Sequence, residues 1–135
     1  MSEITSAEFC ERFAALVIGA RELPRKPIAL NVLLLSAVLG LEAGRRYSEQ
    51  MVNEELQKWI LMYGGGLGLD YVTLRRLLVD EGFLGRDPDG SSYRLEPTGP
   101  PFSYDPSIRH LDLGAVIATA KEERERRKRE HAGSG

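Results

Sequence analysis

Residues 44–95, GRRYSEQMVNEELQKWILMYGGGLGLDYVTLRRLLVDEGFLGRDPDGSSYRL, decide the fold. Ser48 is placed to cap a helix opening at Glu49, and Tyr47 before the cap faces Val52 four positions inside, as in a hydrophobic staple. Val52, Leu56, Trp59, Ile60 and Tyr63 recur at helical spacing until Gly64-Gly65-Gly66 interrupts the stripe. Asp70 caps a second helix, with Leu69 and Leu74 repeating the staple. Gly82 stands where that helix can end in a left-handed residue, which lets Phe83 fold back onto Leu78. Phe83 to Arg86, the turn Asp87-Pro88-Asp89-Gly90, and Ser91 to Leu95 then read as strand, turn and strand. Helix, turn, helix and hairpin is the order of a winged helix. The expected class is therefore mainly α (α+β): a winged-helix-like helix-turn-helix with a small β-hairpin wing and helices at both ends.

Before this stretch, Pro27 to Leu41 is apolar on every side, which marks a buried core helix. It falls short of the roughly 18 to 20 residues a membrane span requires and carries Asn31 and Ser36. It also lies too far from Met1 for a signal peptide, so the expectation is a soluble cytoplasmic protein without membrane contact. Thr5-Ser6-Ala7-Glu8 is a capping-box start for a helix whose Phe9, Phe13, Leu16 and Val17 share a face. Its partner is left open among the core helix, the C-terminal helix and a second subunit. Pro97, Pro100, Pro101 and Pro106 predict an extended strap or linker over residues 96–107. Asp105-Pro106 can start a last helix, with Gly114 able to divide it. The expected organisation is an N-terminal amphipathic helix in residues 1–24, a winged unit over 25–95, the strap, a charged C-terminal helix over 108–131 and a disordered tail, 132–135.

Charge tempers any nucleic-acid reading. The 135 residues carry 18 Lys and Arg against 20 Asp and Glu. Within 25–95 nine basic residues meet nine acidic ones, whereas affinity for DNA comes largely from neutralised phosphates. Binding must rely on clustering. Arg45 and Arg46 precede the first helix of the motif, Arg75 and Arg76 sit on the second, and Arg86 and Arg94 lie on the two arms of the wing. With Tyr71 and Thr73 at the start of the second helix, these are the candidate contacts to double-stranded DNA. In the bland alternative Arg76 pairs with Asp80 one turn on, and Arg45 and Arg46 are ordinary solvated residues. Lys121 to Glu130 holds six basic side chains and four glutamates with Glu-to-Arg spacings of four, the pattern of a solvated helix, with a phosphate-binding arm as the lesser alternative.

A helical wheel places Val72 and Val79 nearly opposite Leu74 and Leu78. Valines there call either for thymine methyls or for a second apolar contact. Val72 and Val79, with Phe9, Phe13, Val116 and Ile117 from the flanking helices, are thus the candidate protein-interface residues, facing a second copy or a partner regulator.

The run Gly44-Arg45-Arg46-Tyr47-Ser48-Glu49, with Val52-Asn53, Leu56, Asp70, Thr73-Leu74-Arg75-Arg76, Leu78-Val79-Asp80, Gly82-Phe83-Leu84, Arg86, Asp89-Gly90 and Tyr93, resembles the prokaryotic domain of unknown function 2087. The likeness covers roughly Lys26 to Leu95. It implies a winged-helix-like fold and an association with helix-turn-helix regulators, without an established activity or catalytic residues. The connection from Tyr63 to Leu69 is longer and richer in glycine than that pattern, and Arg94 stands where an aromatic residue often follows the tyrosine.

Chemistry finds little to work with. One cysteine, Cys10, and two histidines, His110 and His131, offer neither a zinc set nor a nucleophile–base pair. The glycine run lacks the strand before it and the Gly-Lys-Ser/Thr after it that a phosphate loop needs, and reads as a flexible connector. No enzyme, metal or cofactor is expected. Two readings stay open: a DNA-binding regulatory module, and an interaction or dimerisation module without DNA. A ligand pocket beside Trp59 is a third.

Overall fold

Helix α2 (Pro27–Val38) is the hub, because a helix apolar all round is satisfied only when covered on every side. In the computed structural model, which describes residues 3–96 and 102–133, positions 31 to 38 of α2 are all buried. Ser36 is tolerated there because its hydroxyl donates to the Leu33 carbonyl and accepts from the Trp59 indole Nε1 at 3.1 Å.

Helix α1 (Ser6–Gly19) starts where Thr5 Oγ1 accepts from the Glu8 N–H at 3.1 Å. It packs on both α2 and the C-terminal helix. Phe9 and Phe13 stack at 5.8 Å between ring centroids and are 0% exposed. They and Ile117, expected at a subunit contact, are instead consumed by the chain's own core and offer no surface to a partner. The N-terminus is tied down further. Ile4 N–H donates to the Ser103 carbonyl and Asp105 N–H to the Ile4 carbonyl, each at 2.9 Å, in a short parallel bridge with the returning chain. The flanking segments and the winged unit therefore share one core.

The winged unit follows from α2 onward. Strand β1 (Tyr47–Ser48) leads directly into helix α3 (Glu49–Trp59), capped by Ser48 Oγ accepting from Met51 N–H at 3.2 Å. After Trp59 the backbone widens into a π turn over Ile60–Gly64 and then tightens into a 3-10 turn over Gly65–Leu67. The glycine connector is thus ordered rather than loose. A Cβ on Gly64 would stand 2.6 Å from Trp59 Cζ3, and Gly68 closes the turn at φ +64°. Trp59 itself is buried, with Tyr63 tilted against it.

Helix α4 (Tyr71–Asp80) is capped by Asp70 Oδ1 accepting from Thr73 N–H at 2.7 Å. It ends at Gly82, φ +86°, where Phe83 N–H reaches the Leu78 carbonyl at 2.8 Å in a Schellman closure. Strands β2 (Leu84–Arg86) and β3 (Ser92–Leu95) form the wing, turned by a Gly90 N–H bond to the Asp87 carbonyl at 2.8 Å. β1 pairs antiparallel with β3, giving a three-stranded sheet in the order β1-β3-β2 with Tyr47 opposite Tyr93. Helix, strand, two helices and a hairpin closing on that strand make a winged helix.

Residues 97–101 of the proline-rich strap lie outside the described residues, as do 134 and 135 of the tail. Asp105 caps a 3-10 turn, Pro106–His110, and helix α5 (Leu113–Gly133) begins only after a break at Leu111 and Asp112. The division expected at Gly114 falls earlier because the Asp112 carboxylate accepts from Ala115 N–H at 3.1 Å and starts the helix there. Residues 121–133 of α5 are exposed throughout, with Arg126 reaching Glu130 at 4.0 Å. Among the described residues no helix is long and apolar enough to cross a membrane.

Candidate nucleic-acid interface

Between α4 and the wing lies a cleft of about 520 Å³ lined by Arg75, Arg76, Val79, Asp80, Arg86 and Tyr93. Its two walls are placed by different rules. A helix turns about 100° per residue, so Leu74 and Leu78 fill the core while Thr73, Arg76 and Asp80 face outward along α4. A strand alternates, so Leu84 and Arg86 on β2 share a face with Tyr93 and Leu95 on β3.

Arg75 and Arg76 have different duties. Arg75 turns back onto α3: its guanidinium donates to Asn53 Oδ1, approaches Glu49 Oε1 at 3.4 Å and lies 5.9 Å from the Tyr93 ring centroid. Its side chain is 16% exposed. It is a latch joining α3, α4 and the wing. Arg76 is exposed, and its spacing to Asp80 yields no ion pair within 4 Å. Arg86, also exposed, lies 5.9 Å from the Tyr93 centroid and makes no ion pair among the described residues. Among the described residues the unpaired charges of the cleft are therefore Arg76 and Arg86 and, of opposite sign, Asp80, which leaves a net charge of one positive.

The six arginines do not share a face. Arg94 alternates to the outer side of the sheet, where it binds Asp87 Oδ1 at 2.6 Å and Glu96 Oε1 at 3.5 Å. Arg46 lines a cleft with Arg94 on that outer side, and Arg45 covers the Tyr47 ring at 5.0 Å. The wing tip is self-contained. Hydrogen bonds from the Ser92 hydroxyl to Asp87 and from the Ser91 hydroxyl and N–H to Asp89, with Arg46 nearby, hold both carboxyls below the usual range. Asp70 is lowered chiefly by the Thr73 N–H it caps.

Thr73 is exposed at the N-terminal end of α4, whereas Tyr71 and Val79 are half-buried against the core and Val72 is half-buried beside them. Val79 thus finds its second apolar contact within its own chain. Val116 likewise packs on the core from α5. Sequence reasoning about the arginines overlooked Glu49, Asn53 and Tyr93 as parts of the site. The four-residue spacing of Glu49 and Asn53 on α3, and the alternation that sets Tyr93 across from Arg86, are the signals that find them.

A family model described as an uncharacterized protein conserved in bacteria (DUF2087) matches residues 21–95, from the approach to α2 through β3. The chain belongs to the DUF2087 family. The matched span contains the whole winged unit and both walls of the cleft, while α1 and α5 lie outside it. No curated protein and no solved structure shows significant similarity to this DUF2087 chain.

Proposed function

We propose that this DUF2087 protein is a non-catalytic, winged-helix DNA-binding module of a regulatory kind. The observation that carries the reading is the pair of exposed arginines without ion-pair partners, Arg76 on α4 and Arg86 on the wing, on the two sides of one cleft. Such a pair suits a backbone phosphate seated between helix and wing, with the outward stripe of α4, Thr73 and Arg76, turned to base edges. Arg75 holds the helix in place and leaves the phosphate to its neighbours. The compact, internally paired wing tip argues for contact through the cleft rather than insertion of the turn into a minor groove.

Fluorescence anisotropy with mixed-sequence double-stranded DNA at two salt concentrations tests this. Micromolar binding that weakens with salt is expected, and Arg76→Ala and Arg86→Ala should each reduce the slope of log K against log salt by about 1. Arg94→Ala, on the outer face, should leave the slope unchanged. Binding that is absent at low salt, or unaltered in the Arg76→Ala/Arg86→Ala double variant, rejects the reading and leaves an interaction module without DNA.

A further inference from the structure

Helices α1 and α5 leave an open groove between them of about 770 Å³, on the face of the molecule that the winged unit does not use. Its floor is made of small side chains, among them Ala14, Ala115, Val116 and Ala120, so another helix can approach closely. Its rim is charged with a definite order. Along α5, Asp112 stands at one end, and Arg124 and Arg127, with Glu123 beside them and a net positive charge, stand at the other, some 12 to 15 residues on, while Glu11 lines the α1 wall. At a rise of 1.5 Å per residue the two ends are roughly 20 Å apart.

We infer that this groove is the self-association face of the chain and that its occupant is a second copy, packed antiparallel through the same groove. A two-fold interface brings each patch against itself with its ends exchanged, so a charged surface is self-complementary when its net charge reverses along its length. This groove has that property. With the axis beside Thr119, Arg127 of one copy comes opposite Leu111 and Asp112 of the other, and Glu123 comes opposite Ala115. The same arrangement gives the exposed half of α5 a neighbour. Residues 121–133 extend roughly 20 Å beyond the part that packs on α1, about the length of α1 itself. A helix of 13 residues with no apolar stripe is marginal alone in water. The proposal is independent of DNA binding, since it involves no residue of the α4 and wing cleft.

The test uses the full chain carrying Cys10→Ser, because Cys10 lines the groove. Thr119→Cys, at the axis, is expected to give a disulfide-linked dimer on mild oxidation. Ala118→Cys, exposed but turned out of the groove, is expected to stay monomeric. Sedimentation of the chain with its natural residues should show a two-chain mass at micromolar concentration. Arg124→Glu with Arg127→Glu should weaken it about tenfold or more, and mixing that variant with Glu11→Arg/Asp112→Arg should restore a mixed dimer. A single-chain mass at every concentration, equal cross-linking at 118 and 119, or a charge-reversed pair that fails to mix while circular dichroism shows both folded, overturns it.

Discussion

A rotation of 100° between consecutive residues of α4 gives Arg75 a carboxylate, an amide and a phenol ring, and leaves Arg76 exposed. The difference sets what each substitution does. Arg75→Ala removes a charge-assisted hydrogen bond to Asn53 and the contact with Glu49 and Tyr93, and is expected to lower unfolding free energy by about 1–3 kcal/mol. The lower part of that range applies, because Glu49 is half exposed and its pairing is screened. Arg76→Ala should stay within about 0.5 kcal/mol of the parent, as surface changes do. Urea unfolding separates the two. Equal losses from both would mean that Arg76 also serves the fold, and would remove the distinction between latch and free charge on which the proposed interface depends.

The wing is the element whose own chemistry is most exposed to pH. Asp87 and Asp89 are held below the ordinary carboxylate range, first by hydrogen bonds from Ser92 and Ser91 and then by the nearby arginines. A carboxyl lowered in the folded state contributes stability that is present above its unfolded value, near 3.9, and lost as pH falls through the folded value. Melting temperature should therefore be flat from pH 7 to about 5 and decline below about 4, with a shallower decline in Asp87→Asn. A decline beginning near pH 6 would point to groups other than these. Of the elements, the long ones were legible in the sequence, because caps at Ser48 and Asp70 and the left-handed Gly82 state their own ends. β1 was not legible, since two residues carry no periodicity and Tyr47 reads equally well as a staple. The π turn after Trp59 was hidden for a different reason: Gly64 is small to admit the indole ring, a long-range fact that local spacing reads as flexibility. The arginine cluster failed as a set of six because facing depends on strand register. Register places Arg86 beside Tyr93 and turns Arg94 away.

At the scale of the whole molecule, the family match ends where the winged unit ends, yet the core does not. Phe9, Phe13 and Leu16 of α1 and Ile108 and Ile117 near the C-terminus are buried in the same cluster as α2, α3 and α4. Each buried Phe contributes roughly 1.5–3 kcal/mol by removing apolar surface from water, and domains of this size are stable by only about 5–15 kcal/mol in total. Deleting residues 1–20 exposes the α2 face that α1 covers and removes the parallel bridge at Ile4. It should abolish cooperative unfolding, even though the matched span is intact. Among the described residues, truncation after Ala120 removes only exposed helix, so at concentrations where the chain is a single copy its melting temperature should match the parent within a few degrees. Self-association should be lost in the same truncation, because Arg124 and Arg127 leave with it. Calorimetry of both deletions decides whether the winged unit stands alone. A sharp, reversible transition in the chain starting at residue 21 would show that α1 is an accessory laid on a finished domain. Its absence would show that two bulky aromatic rings, contributed from outside the matched span, complete the core on which the α4 and wing cleft is built.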